Sequence, residues 1–303
     1  QQDIFACEEN GEDGVMKYAY YPGCSLHSTG VEYDMSLKGV CSRLGIELEE
    51  VRDWTCCGSS SAHASSALLA AALPVKILAS AEEDGFSEIV VPCASCFSRL
   101  KFAVHEIGDA DMKEKVDEIT GCRRYRGTVK ILHPLELLND VAIESALKAA
   151  VKKDLSEMKV VCYYGCLLTR PPKIMQFDEC EYPVSMDHAL GKCGMKTLDW
   201  SYKTDCCGAS LSLTKSDVVL KLTNDIFSEA KAVGAEAIAV ACPLCHVNLD
   251  MRQEEVNVKY GTSHDFPVFY FTQLMGLAFG IPEKELGLDK HLVSPDKLLE
   301  KVK

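Results

Sequence analysis

Two hydrophobic rhythms alternate along this chain. Short apolar runs at 18–21, 89–91, 160–164 and 238–240 have the length and the β-branched or aromatic content of buried strands. Weaker strand candidates lie at 47–51 and 195–198. Between them the apolar spacing turns helical. The stretch 31–44 predicts a helix, and 186–193 predicts a shorter one. Val218, Val219, Leu222, Ile226, Phe227, Ala230 and Val233 form one helical stripe, with Thr214 as its expected N-cap and Gly234 as its expected stop. Strands alternating with helices predict an α/β fold with a mainly parallel sheet. Functional loops then gather at the carboxyl ends of the strands.

The order of elements repeats, and cysteines mark the repeat. Each half carries a Cys, then Cys-Cys-Gly, then Cys-x-x-Cys: Cys24, Cys56-Cys57-Gly58 and Cys93/Cys96, then Cys166, Cys206-Cys207-Gly208 and Cys242/Cys245. Intervening lengths are 31 and 35 residues in the first half and 39 and 34 in the second, which argues for two copies of one unit. The expected architecture is therefore two tandem, pseudo-symmetric Rossmann-like halves. The expected boundaries are a leader at 1–15, a first domain at 16–155, a second at 156–280 and a tail or docking arm at 281–303. Met16, directly ahead of the first strand, is a candidate natural start. His133 and Pro134 open a helix-like stretch matched by Phe271 and Thr272 in the second copy, a feature of the fold.

Composition narrows the chemistry. The 303 residues carry 32 Lys plus Arg against 45 Asp plus Glu, a net charge of −13 that disfavours nucleic-acid binding. The chain begins without a basic-then-apolar signal. Its longest apolar stretch, 67–79, is interrupted by Pro74 and Lys76 and is too short to cross a bilayer, so a cytoplasmic protein without a membrane span is expected. Sixteen cysteines in such a compartment point to metal or redox chemistry, not to a disulfide scaffold. Thiolate suits iron–sulfur clusters, zinc or Cu(I). A zinc site or a conventional cubane takes four protein ligands, and each set here has five. Either one cysteine per set is spare or the cofactor is unconventional, and zinc that merely staples the loops stays open. The other six, Cys7, Cys41, Cys122, Cys162, Cys180 and Cys193, read as structural.

The doubled pattern resembles the tandem cysteine-rich (CCG) domain of the B subunit of heterodisulfide reductase, over about residues 17–280. The Tyr20-Tyr21-Pro22-Gly23-Cys24 opening and the Pro92-Cys93-Ala94-Ser95-Cys96 segment carry the likeness to the catalytic polypeptide of the methanogen enzyme. The resemblance implies that each five-cysteine set binds one non-cubane [4Fe-4S] cluster, which would employ the fifth cysteine. It implies reduction of the coenzyme M–coenzyme B heterodisulfide to two thiols, each cluster donating one electron and briefly ligating one sulfur. It also implies partners: the iron–sulfur relay polypeptide of heterodisulfide reductase, its flavin-containing polypeptide, and hydrogenase or formate dehydrogenase components upstream. No Gly-x-Gly-x-x-Gly fingerprint offers a direct route from a nicotinamide.

Asymmetry between the copies supplies further candidates. His27, His63 and His246 stand near the cysteine loops where the other copy has Thr169, Leu213 and Phe97. They are candidates for proton delivery or substrate contact. The substrate that the resemblance implies is polyanionic, so Arg170 and Lys173 are candidate binders, with Arg99 and Lys101 behind them. The longer segment 201–205 is a candidate pocket wall or subunit contact. The rivals are a related redox subunit (thiol:fumarate reductase, lactate or glycolate oxidation, an anchor for a respiratory dehydrogenase) and a non-enzymatic zinc-stapled docking subunit.

Overall fold

A computed structural model describes residues 15–59, 62–121 and 123–302. Two four-stranded, all-parallel sheets form the frame. The first holds β1 (Met16–Tyr20), β2 (Ile46–Glu50), β3 (Glu88–Val90) and β4 (Lys130–Leu132) in the order β2-β1-β3-β4. The second holds β5 (Val160–Tyr163), β6 (Thr197–Leu198), β7 (Ala237–Val240) and β8 (Val268–Tyr270) in the order β6-β5-β7-β8. Helices connect the strands, as parallel pairing requires. The fold is the expected α/β one with two Rossmann-like halves.

Element boundaries fall within about two residues of the expected ones, the usual fraying of ends. Two local expectations are corrected. The helical stripe begins at Ser216 and runs to Ala232, with Lys215 at the N-cap position and no side-chain cap. The Thr214 hydroxyl instead donates to the Leu211 carbonyl inside the preceding tight turn. The match of His133 to Phe271 is off by one. His133 is the N-cap of the helix Pro134–Leu138, and Tyr270 is the N-cap of the helix Phe271–Ala278. In each, the N-cap amide donates to the side chain three residues on, Glu136 or Gln273. His133 and Tyr270 are therefore the structural counterparts.

The halves meet through side chains of both. Tyr33 on the helix Val31–Arg43 stacks on Tyr270 with centroids 4.3 Å apart, and the Ser36 and Thr272 hydroxyls lie 2.7 Å apart. The Lys152 and Lys153 amides, between the copies, both donate to the Ala278 carbonyl.

The segment beyond residue 280 folds back over this junction. Ile281, Leu286, Leu288, Leu298 and Leu299 are buried. Gly287 packs against Glu32 of the first half, while the Leu292 and Val293 amides donate to the Asp250 carboxylate of the second. Gly287 has φ +67°, and a Cβ there would lie 2.7 Å from Glu32 Cβ and 3.0 Å from its Cα. Gly287→Val is expected to destabilise the chain by more than about 2 kcal/mol, left-handed strain adding to overpacking. The checks are the unfolding midpoint and faster proteolysis within 281–302.

Candidate metal centre

Each cysteine loop leaves the carboxyl end of a strand. β1, β2 and β3 deliver Cys24, Cys56-Cys57 and Cys93; β5, β6 and β7 deliver Cys166, Cys206-Cys207 and Cys242. In each sheet the chain passes to one side of the first strand and then to the other, so the loops flank the crevice where the strand order reverses. Cys93 and Cys242 occupy the N-cap positions of the helices Ala94–Glu106 and Pro243–Met251, and Cys96 and Cys245 lie in their first turns. The positive end of a helix favours thiolate over thiol.

The ten sulfurs form one line. Cys24 meets Cys56, Cys56 adjoins Cys57, Cys57 Sγ lies 3.2 Å from Cys96 Sγ, and Cys96 meets Cys93. Cys93 meets Cys242 of the other half. The line continues through Cys245 to Cys207 at 3.8 Å, and Cys206, its neighbour in the chain, lies 3.7 Å from Cys166. Its centre is buried, whereas Cys24, Cys56 and Cys206 near its two ends are exposed. Among the described residues no three His, Cys, Asp or Glu side chains close round one point as a single ion requires.

Neighbouring thiols share protons along this line. The hydrogen bond it shares with Cys96 holds Cys57 down to about 7, and the one with Cys166 holds Cys206 down to about 6. Cys245, and after it Cys93, hold Cys242 well below the ordinary thiol range. Their partners Cys96, Cys166 and Cys245 are pushed up in turn. Backbone amides add to this: Gly58 N–H reaches Cys56 Sγ at 3.4 Å and Gly208 N–H reaches Cys206 Sγ at 3.3 Å. The array is thus poised between thiol and thiolate, and loading a soft metal would release the remaining protons.

Local structure explains the flanking residues. Gly23 and Gly165 adopt φ +67° and +69°, and a Cβ on either would stand 3.0 or 3.1 Å from Cys96 or Cys245 Sγ. Tyr21 Oη donates to the Thr55 carbonyl at 2.9 Å and Tyr163 Oη to the Asp205 carbonyl at 2.5 Å, each fixing the residue ahead of a Cys-Cys pair. His133 joins the halves behind the sulfurs. Its Nε2 lies 3.0 Å from the Pro92 carbonyl and 3.3 Å from the Ala241 carbonyl, and its Nδ1 accepts from the Leu135 amide. That pattern requires the neutral ring with its proton on Nε2.

The candidate histidines and cations occupy separate settings. His27 is exposed, 3.4 Å from Glu50 and edge-on to Trp54, whose indole N–H donates to the same carboxylate. His63 is exposed on the short helix Ala62–Ser65. His246 follows Cys245 but is buried, stacked on Tyr270 at 4.2 Å, and desolvation pushes it down to about 3. Arg170 is engaged by the Glu181 carboxylate and by the Thr204 hydroxyl and carbonyl, while Lys173 is exposed. Arg99 covers the Phe102 ring and Lys101 the Phe97 ring. The segment 201–205 is anchored: the Lys203 ammonium is buried on Asp187 and the Pro183 carbonyl, and the Lys203 carbonyl accepts from the Tyr164 and Gly165 amides. Of the six outlying cysteines, Cys41, Cys162 and Cys193 are buried, Cys180 is half-buried, and Cys7 and Cys122 lie outside the described residues. The Tyr33–Tyr270 pair is not legible in the sequence, where only its nearness to the repeat motifs offers a signal.

Two α/β halves that each present five thiols define a cysteine-rich protein of duplicated design, with donors of the type that suits a soft metal. The signature of the cysteine-rich domain matches residues 18–101 and 160–250, and the chain belongs to that CCG family. It is 31% identical over 284 residues to the 8-methylmenaquinol:fumarate reductase membrane anchor subunit of Wolinella succinogenes, covering 93% of this chain and 99% of that one. It is 27% identical to the B subunit of the ferredoxin/F420H2-dependent CoB-CoM heterodisulfide reductase of Methanosarcina acetivorans (95% and 97% covered). It is 28% identical to the B subunit of the ferredoxin:CoB-CoM heterodisulfide reductase of Methanosarcina mazei (94% and 97% covered). A crystal structure of a hypothetical protein from Helicobacter pylori superposes with a TM-score of 0.71 at 13% identity, covering 92% of this chain and 52% of that one, a likeness of fold.

Proposed function

We propose that this chain is the iron–sulfur catalytic subunit of a heterodisulfide reductase, splitting the coenzyme M–coenzyme B disulfide into two thiols. The observation that carries the reading is the continuous line of thiols through Cys93 and Cys242, which sets two equivalent five-cysteine sets side by side. Cys24, Cys56, Cys57, Cys93 and Cys96 would hold one metal group, and Cys166, Cys206, Cys207, Cys242 and Cys245 the other. The donor set fits: all ligands are soft, Cys57, Cys206, Cys207 and Cys242 are already held toward thiolate, and Gly23 and Gly165 leave their neighbouring sulfurs room. When bound, two non-cubane [4Fe-4S] clusters supply one-electron chemistry. The disulfide bond breaks as two electrons enter, and each sulfur leaves with one proton.

The chain's own residues fix this arrangement. His133 clamps the two Cys-x-x-Cys loops through the Pro92 and Ala241 carbonyls. His27 and His63, being exposed, are the candidates to carry protons; Lys173 is the freer of the two candidate cations. Electrons would come from an iron–sulfur relay polypeptide and a flavin-containing one, with hydrogenase or formate dehydrogenase upstream, in a cytoplasmic complex. No helix among the described residues is long and apolar enough to cross a membrane.

A second reading is oxidation of a quinol. Leu167, Leu211, Leu213 and Leu244 are exposed around the second cysteine set, where Ser25 and Ser95 stand opposite Leu167 and Leu244 in the first. An apolar rim suits a quinone better than a polyanion, and the fumarate reductase relative is consistent with it. The test is to reconstitute the chain anaerobically, reduce it and mix it with the heterodisulfide or with a water-soluble menaquinone analogue. Reoxidation with release of two thiols per disulfide is expected. Reoxidation by the quinone alone would overturn the first reading in favour of the second.

A further inference from the structure

Tyr33 and Tyr270 are fully buried, come from different halves and stack nearly parallel, at 12°. Neither hydroxyl has a hydrogen-bond partner. A buried hydroxyl left unpaired forfeits its hydration without return, so two in contact call for a missing acceptor. Their surroundings indicate where it lies. A Cβ on Gly30 would stand 3.1 Å from Tyr270 Oη and 3.1 Å from Pro243 Cβ, so this hydroxyl sits beside the residue that follows Cys242. Burial first, and then negative charge on Cys242 and Cys93, holds the Tyr33 phenol well above its ordinary range; for Tyr270 burial is followed by Glu32 and then Cys242. Desolvation keeps both phenols protonated, so each has a donor to offer. The influences common to both hydroxyls are those of Cys242 and Cys93, the two cysteines at which the halves meet.

Resting on the iron–sulfur reading, we propose that the Tyr33 and Tyr270 hydroxyls donate hydrogen bonds to the sulfurs at the Cys93–Cys242 junction of the loaded protein and raise the reduction potential there. Reduction adds negative charge to the sulfurs, and a fixed donor stabilises the reduced form more than the oxidised one. The same stacked pair spans both halves, so one structural unit adjusts both metal groups and keeps their potentials close. These tyrosines are positioning and tuning residues that leave the ligand set unchanged.

The test uses Tyr33→Phe and Tyr270→Phe, which remove only the hydroxyl and keep the stack. Iron and sulfide are measured first. Wild-type protein without iron would overturn the iron–sulfur reading together with this one. With iron present, potentiometric titration followed by EPR is expected to show each variant about tenfold less reduced at a fixed potential, a fall of about 59 mV for a one-electron couple. Tyr125→Phe, whose hydroxyl donates to the Val129 carbonyl, is the control and should leave the potential unchanged. Metal-free Tyr33→Phe and Tyr270→Phe should be at least as stable as wild type, since nothing is lost there. An unchanged potential in iron-loaded variants, or an equal loss of stability with and without metal, would overturn the proposal and leave the ligand assignment standing.

Discussion

Gly165→Ala is expected to lower the iron held by the second cysteine set while leaving the chain folded. The added methyl would stand 3.1 Å from Cys245 Sγ and 3.7 Å from the Tyr163 ring, on a backbone at φ +69°. The left-handed conformation alone costs an L-residue about 1–2 kcal/mol, a loss that a chain of this size survives. The sulfur, however, must move by tenths of an ångström, and a ligand set tolerates only about 0.2 Å. On the proposed reading of two four-iron groups, iron per chain should fall from about eight to about four, with circular dichroism unchanged. Gly23→Ala should do the same to the first set, where the contact is 3.0 Å from Cys96 Sγ. Full iron in both variants would show that these sulfurs are not ligands.

Acid is expected to loosen the junction between the halves through His133. Burial pushes this ring from its ordinary value down to about 4. The unfolded chain takes up a proton near pH 6.5 and the native one only near pH 4, so the unfolded state binds more protons between them. The stability contributed by the neutral ring is therefore complete above about pH 6.5 and is lost as pH falls toward 4. A proton on Nδ1 would also oppose the Leu135 amide from which Nδ1 now accepts. Glu32 and Asp250, whose carboxyls burial pushes up, act with the opposite sign and offset part of the slope. The comparison is between wild type and His133→Gln, both metal-free, by denaturant titration at about pH 7 and about pH 4.5. Wild type should lose about 2 kcal/mol more than the variant. Equal losses would mean that His133 is not held neutral.

Much of this site could be read from residue order. A strand followed within eight residues by cysteine, three times in each half, marks the candidate ligands because strand ends and loops are local features. The doubling made the pseudo-symmetry legible. What escaped depends on distant pairing. The one-residue offset between His133 and Phe271 follows from capping geometry, which responds to Glu136 and Gln273 rather than to the apolar rhythm. The residues after 280 carry scattered leucines with no period, because they fill gaps between the two halves instead of forming one amphipathic face. Tyr33 and Tyr270 lie 237 positions apart in the chain, and neither belongs to a repeat motif. Thr214 has the right residue type for a cap, but the tight turn at Ala209–Leu211 and the residues after it claim its hydroxyl.

The residues that fold back across the junction also impose an order on biosynthesis. Gly287 and Ile281 reach the helix of the first half at Glu32 and Gly39, and Leu292 and Val293 bind Asp250 of the second. They follow both cysteine sets in the chain, so a ribosome exposes every thiol before it supplies the segment that bolts the halves together. The junction that this segment completes is therefore the last part of the fold to be supplied with chain, after all ten candidate ligands.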